Sequence, residues 1–405
     1  MGKQLKLAVI AHGFGGTTFP IIKHLAKNYN YKVDFYGSTC GTVPGYECFD
    51  YSQEKASMGL HPLNTNLYPG LSDYMEGLDV AFYYICYQRP FERVPVLRSI
   101  IDMQVRFQHS NFCKYINKQQ YDVVLVVGEF TYYYLEYDFK LIKAPIVTIL
   151  HEVISHVNPQ PSDITPSLKY LFGHEMEIVL PSDNTRRDAL IYPEAKPEHL
   201  HAIPFGLFEV NKYSPIYNRY SELKDYVLYF GSMKKYKGIG VLCEAIKRHP
   251  NCLNGKQLVM LGAGYDEDLE KMKEMENVVV INKRFLTSEM VELVMNSYAE
   301  VMPYITASQS GIPQTAYVFG KPVVATRLQG LMNVVEDEKN GLICNVNDPD
   351  DLARQLDRIT SDRKLYDTLS YHASRFEDEY PHYSWKKIAG QYHQLFNKLL
   401  NRSDD

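Results

Sequence analysis

SQSGIPQTAYVFGKPVVAT, residues 308–326, holds a polar glycine loop, a short helix and a buried strand. Pro313 stands at a first-turn position, where its missing N–H costs nothing, and Gly320 with Pro322 closes the helix. The strand KPVVAT (321–326) has no polar alternation, so it needs cover on both faces. Upstream, AEVMPY (299–304) is a strand of the same kind, ending at Pro303 and Tyr304 and followed by a loop over 305–311. Strand, loop, helix and strand in close succession is the winding unit of a parallel sheet. At the helix start the amides near Ser310, Gly311 and Ile312 lack intrahelical acceptors and suit an anion.

The same alternation runs outward from this stretch. Apolar runs at 6–13, 31–38, 79–85, 121–128, 145–152 and 177–182 precede a break, and others follow at 225–232, 256–264 and 278–282. Each ends in small, polar or breaker residues and gives way to helical periodicity. The pattern predicts an α/β fold of two Rossmann-like, doubly wound parallel-sheet domains facing a central cleft. At 405 residues the chain is too long for one ordinary core, which fits two domains. Proline, glycine and tyrosine interrupt residues 201–223, placing the hinge near Gly206, with domains at 1–206 and 207–380. The helical run 383–402 follows the breaker Pro381 and is expected to pack back on the first domain.

Composition narrows the function classes. An apolar fraction of 45% and a charged fraction of 22% describe a soluble globular protein, and no apolar run is long enough to span a bilayer. Met1–Lys6 leads directly into the strand-like Leu7–Ile10, without the long apolar stretch of a secretory signal. Seven scattered cysteines without a Cys-x-x-Cys pair suggest neither a disulfide framework nor a zinc site, so a cytoplasmic location is expected. A net charge of −5 argues against a nucleic-acid partner. The 33 tyrosines, clustered near 83–87 and 132–137, suit sugar faces, bilayer interfaces or the edges of a core.

Open α/β sheets bind ligands beyond the carboxyl ends of their strands, so the candidate residues are sought there. In AHGFGGTTFP (11–20), glycines at 13, 15 and 16 permit close backbone approach, and Thr17 or Thr18 can cap the following helix. The Gly-x-Gly-Gly spacing is not a dinucleotide fingerprint, and Asp34 is a weak ribose acid. His151 and Glu152 directly follow a buried strand, where an imidazole either meets a sugar hydroxyl or is a satisfied structural group. His156 lies five residues on, so the spacing is not that of a His-Glu-x-x-His zinc site. In YFGSMKKYKGIGVLCEAI (229–246), Lys234, Lys235 and Lys237 precede a helix opened by Gly238, a favourable place for a phosphate. Two anion-friendly helix starts in one half suggest a diphosphate. The acidic triplets 266–268 and 336–338 read as solvated charge and not as a metal site. The segment 89–107 mixes four arginines with apolar residues and fits either peripheral contact with anionic lipid or a core helix with a charged face.

The run GSMKKYKG, LGAGYDEDLE, NKRFLTSEM and QSGIPQTAYVFGKPVVATRLQGLMNVVEDEKNGLICNVNDPDDLARQL resembles the C-terminal half of GT-B nucleotide-sugar glycosyltransferases of glycosyltransferase family 4, over about residues 225–360. The resemblance implies a retaining hexosyltransferase with a UDP- or GDP-sugar donor, and a donor-binding C-terminal domain beside an acceptor-binding N-terminal one. It implies that Lys237 stabilises the leaving diphosphate and that His151 contacts the sugar. It also implies that Gly15 and Gly16 lie close to donor and acceptor, and that Arg284 and Phe285 line the base. The usual arginine after the strand-end glycine is Ser232 here, leaving Lys234 or Lys235 to supply a phosphate contact. The family's paired glutamates fall on Ala307 and Thr315, so this chain is similar to a Gln-Ser-Gly loop variant, in which Gln309 and Ser310 meet the sugar and Thr315 a ribose hydroxyl. No cofactor and no metal is implied. The implied acceptor is a saccharide or a lipid-linked sugar, in cell-surface polysaccharide or glycoconjugate synthesis, with peripheral contact at the inner face of the cell membrane as an expectation. Another GT-B enzyme, such as a nucleotide-sugar epimerase, and a non-catalytic GT-B partner subunit stay open as alternatives.

Overall fold

The structure is a computed structural model and describes residues 4–13, 15–39, 56–87, 98–128, 139–151, 153, 164–174 and 176–401. Glu152, His156, the tyrosines at 132–137 and the start of the arginine-rich segment, 89–97, lie outside the described residues. The chain divides into two compact units, Met1–Phe205 with Trp385–Asp405, and Gly206–Ser384.

The first unit is built on an eight-stranded sheet: β1 (Leu5–Ala11), β2 (Tyr31–Thr39), β3 (Gly59–Pro62), β4 (Val80–Cys86), β5 (Val123–Val127), β6 (Ile146–Ile149), β7 (Glu177–Leu180) and β8 (Leu200–Ala202). Their order is β3-β4-β2-β1-β5-β6-β7-β8, parallel except for the antiparallel β3–β4 edge. The run VVLVV of β5 is buried throughout, the mark of a strand covered on both faces. The helix Trp385–Leu399 packs on the helix Gly15–Tyr29, with Gly390 against the Tyr29 hydroxyl and His393 stacked on the Tyr29 ring at 4.3 Å.

Six parallel strands form the second unit: β9 (Tyr226–Phe230), β10 (Gln257–Gly262), β11 (Val278–Asn282), β12 (Ala299–Met302), β13 (Val323–Thr326) and β14 (Gly341–Cys344). Their order, β11-β10-β9-β12-β13-β14, is the 3-2-1-4-5-6 winding of a dinucleotide-type sheet.

Several local expectations are corrected. The helix after β1 begins at Gly15, so Thr17 and Thr18 are buried within its first turn and do not cap it. Asp34 lies in the first half of β2, away from the carboxyl end, and accepts a 2.5 Å bond from the Tyr121 hydroxyl. Strands β3 and β8 are too short to announce themselves by pattern, and a short 3-10 turn at Glu209–Tyr213 interrupts the stretch read as irregular. Among the described tyrosines, Tyr31, Tyr36, Tyr74, Tyr192, Tyr226, Tyr229, Tyr304, Tyr317 and Tyr392 are fully buried and serve as core.

Candidate functional site

In the second sheet the chain order reverses between β9 and β12, and the crevice beyond the carboxyl ends of that strand pair is where such sheets take ligands. Leaving β9, Gly231 has a φ of 128° and donates to the Leu261 carbonyl, while Met233 donates to Ala263. A 3-10 turn, Lys235–Lys237, ends at the left-handed Gly238, which caps the helix Ile239–Arg248. β12 continues through Pro303 and Tyr304 into the loop before the helix Ile312–Val318.

These two loops meet. The Ile305 amide donates to the Tyr236 carbonyl at 2.8 Å. The Lys237 ammonium lies 3.8 Å from the centre of the Tyr304 ring and 5.1 Å from that of Tyr236. Such a contact contributes about 0.5–2 kcal/mol, more when shielded from water. Gly231 faces the Ile312 side chain, and Phe285 and Ile312 pack on one apolar cluster built around Phe230 and Leu261. Lys237, Ile312 and Phe285 are thus gathered around the end of β9 by local packing.

The neighbouring groups are fixed by specific bonds. The Ser232 carbonyl accepts from the Tyr229 hydroxyl and the Lys234 amide. Lys283 binds Glu289 at 2.6 Å, and the Tyr220 hydroxyl and Leu286 amide donate to the same carboxylate. Burial opposes ionisation of Glu289, but those three donors outweigh it and hold its carboxyl below the usual range. Arg284, next to this anchored lysine, is exposed. Burial, chiefly, pushes the Tyr304 phenol upward, so it stays neutral.

Gln309, Ser310 and Gly311 are half-buried, and the Ile312 amide approaches the Ser310 hydroxyl at 3.4 Å. Thr315 is 3% exposed, and its hydroxyl donates to the Gly311 carbonyl at 3.0 Å, so it is engaged by its own helix. Sequence reasoning passed over three other side chains here. Among the described residues the Ser308 hydroxyl and the Gln314 amide oxygen are buried without a hydrogen-bond partner, and the buried Tyr304 hydroxyl has only the Ser310 side chain beside it. Leaving such a group unsatisfied costs about 1–3 kcal/mol, so their grouping on one segment marks it as more than a connection.

In the first sheet the reversal falls between β1 and β5. There the His12 amide donates to Val127, and the left-handed Gly128 lies against the His12 carbonyl. The His12 Nδ1 faces the Ser38 carbonyl and hydroxyl, and burial lowers its pKa. Like His151, His12 directly follows a buried strand, so the same signal identifies it. Gly15 is buried and Gly16 half-buried at the helix start. His151, just past β6, is 5% exposed, with its ring tilted against that of Phe205 at 4.9 Å; burial pulls its imidazole down to about 3. It is therefore neutral at ordinary pH.

Among the described residues, no group of three or more His, Cys, Asp or Glu side chains is placed to hold a metal ion. The triplet 266–268 is not wholly solvated as expected. Asp266 is buried and accepts from the Asp268 amide, and Asp268 binds Lys271 at 2.5 Å.

Residues 224–362 match the Glycosyl transferases group 1 family. The second unit carries a glycosyl transferases group 1 domain. An uncharacterized glycosyltransferase of Methanocaldococcus jannaschii is 24% identical over 179 residues, 43% of this chain and 45% of that protein. The chain spans about half the length of the curated relatives it matches. Over its whole length it has the GT-B fold. Sucrose-phosphate synthase of Thermosynechococcus elongatus superposes with a TM-score of 0.67 at 17% identity, covering 99% of this chain and 100% of that one. Anabaena HepE, in complex with UDP and glucose, does so with a TM-score of 0.62 at 16% identity, covering 97% and 99%. The switch-point loops after β9 and β12 both lie inside the glycosyl transferases group 1 domain.

Proposed function

We propose that the chain is a retaining glycosyltransferase that moves a sugar from a UDP- or GDP-sugar to a saccharide or lipid-linked acceptor. The observation that carries this reading is the meeting of the Lys237 turn with the 304–312 segment at the switch point of the second sheet. A diphosphate there gains a cation from Lys237, further charge from Lys234 and Lys235, and amide donors from the segment 310–312. That HepE was seen with UDP and glucose supports the donor class.

In the proposed reaction the bond from the anomeric carbon to the leaving phosphate oxygen breaks, and the acceptor oxygen bonds to that carbon on the same face. The acceptor's proton passes to the departing phosphate oxygen. Lys237 offsets the charge developing on the diphosphate, an electrostatic task that often dominates catalysis. The neutral imidazole of His151 is the proposed partner of a sugar hydroxyl, with Gly15 and Gly16 as close backbone contacts. Arg284 and Phe285 are the proposed base contacts, and Gln309 and Ser310 the sugar contacts. Lipid contact through 89–107 belongs to the same proposal: in its described part Met103 and Phe107 are exposed at helical spacing. Among the described residues no helix is long and apolar enough to cross a membrane.

Thermal unfolding with UDP-, GDP- and ADP-sugars tests the reading. A donor at 100 times its dissociation constant stabilises the fold by about 2.7 kcal/mol. The expected result is a raised Tm with a UDP- or GDP-sugar, absent in Lys237→Ala, and retention of anomeric configuration in the transferred product by NMR. No response to any nucleotide sugar overturns the reading, and an epimerised sugar formed without acceptor replaces it with an epimerase.

A further inference from the structure

We infer that Tyr304 is a positioning residue whose buried ring holds the Lys237 ammonium where a diphosphate meets it; this rests on the donor reading above. Lysine carries its charge on a flexible stem, and its ammonium binds phosphate as a point charge, so its usefulness depends on where the stem is held. Tyr304 is itself immobile. It is 1% exposed, its carbonyl accepts from the Thr326 hydroxyl at 2.7 Å, and the next residue is bonded to Tyr236. The ring therefore offers Lys237 a fixed negative face at 3.8 Å. A ring contact covers one side of an ammonium, which carries three N–H donors.

Tyr304 also reaches the second loop. Its hydroxyl lies beside the Ser310 side chain. One buried side chain thus presents its face to the lysine turn and its edge to the segment that supplies the amides. Burial keeps the phenol protonated, so no negative charge is set beside the phosphates.

The test is calorimetric binding of UDP, GDP and inorganic pyrophosphate to the full chain. Tyr304→Leu is expected to weaken all binding that the wild type shows by about 2- to 30-fold, the range of one cation–π contact. Tyr304→Phe, which keeps the face, recovers most of that loss. In the Lys237→Ala background Tyr304→Leu adds no further loss, because the ring acts through the lysine. An equal loss in both backgrounds means that Tyr304 is merely structural and overturns the inference, as does wild-type affinity in Tyr304→Leu. If Tyr304→Leu does not fold, a ring-fluorinated phenylalanine at 304 keeps the shape but drains the face, and affinity must then fall below that of Tyr304→Phe. Failure of the wild type to bind UDP, GDP or pyrophosphate overturns the donor reading and this inference with it, whereas binding that depends on Lys237 but not on residue 304 overturns this inference alone.

Discussion

Gly238 presses against the carbonyl of Pro303 so closely that a Cβ at 238 would stand 1.7 Å from that oxygen. Its φ of 73° is also left-handed. Two independent constraints, one steric and one conformational, therefore exclude a side chain where the lysine turn enters its helix. Gly238→Ala is expected to cost about 2–5 kcal/mol, combining left-handed strain of about 1–2 kcal/mol with an overpacking cost of about 1–3 kcal/mol. Urea unfolding measures this, and a wild-type midpoint would show that the two loops do not meet as described.

The sequence made both sheets legible because their strands are long apolar runs without alternation, as β5 and β9 show. It also located the lysine turn and the 305–311 loop, since glycine and proline mark their limits. The ring beneath Lys237 was not legible. Tyr304 reads as the end of a strand, and its contact exists only because β9 and β12 are neighbours in the sheet. Thr315 reads as a polar residue at a ligand-facing helix start, yet burial and a bond to Gly311 turn it to its own backbone. Asp34 reads as available until Tyr121, far along the chain, is seen to hold it.

Glu300 supplies a prediction about pH. It is fully buried in β12, where burial, opposed only in part by the Ser297 hydroxyl and the Lys321 ammonium, pushes its carboxyl well above the usual range. A group with a raised folded pKa contributes stability that is complete below its unfolded value, about 4.3, and is lost as pH rises toward the folded value. Glu300→Gln removes that loss while keeping an oxygen for Ser297. The variant is expected to gain on the wild type between pH 5 and pH 8. Urea midpoints at the two pH values check it, and a constant difference would show that Glu300 does not titrate in this way.

His151 has the opposite sign. Burial depresses its imidazole from the ordinary 6.5 to about 3, so between those values the unfolded chain takes up a proton that the folded chain refuses. Stability present above pH 6.5 is lost as pH falls, by about 1.4 kcal/mol per unit, or about 2–3 kcal/mol at pH 4.5. His12 contributes in the same direction. His151→Asn is expected to unfold with a shallower loss between pH 7 and pH 4.5 than the wild type, whatever its stability at pH 7. Parallel curves would mean that His151 titrates normally. The same depression predicts that no ionisation of His151 appears in a rate profile between pH 5 and pH 8.

Gly330 and Gly311 make a contrast that tests how the 305–311 loop is held. A Cβ at 330 would lie 2.2 Å from the Ser308 carbonyl oxygen and 2.7 Å from that of Ala307. These are main-chain atoms, so no rotamer change relieves the clash and main chain must move, at 307–308 or at 330 itself. A Cβ at 311 would instead meet the Phe208 ring at 2.6 Å, an obstacle that can rotate or be trimmed. Gly330→Ala is therefore expected to weaken UDP or GDP binding and to cost about 1–3 kcal/mol of stability. Gly311→Ala should be restored toward wild type by Phe208→Ala, and Gly330→Ala by no single side-chain truncation nearby. Calorimetry and thermal unfolding of the single and double variants separate the cases. Full nucleotide affinity in Gly330→Ala would mean that the main chain displaced by the clash does not set the geometry of the amides at 310–312.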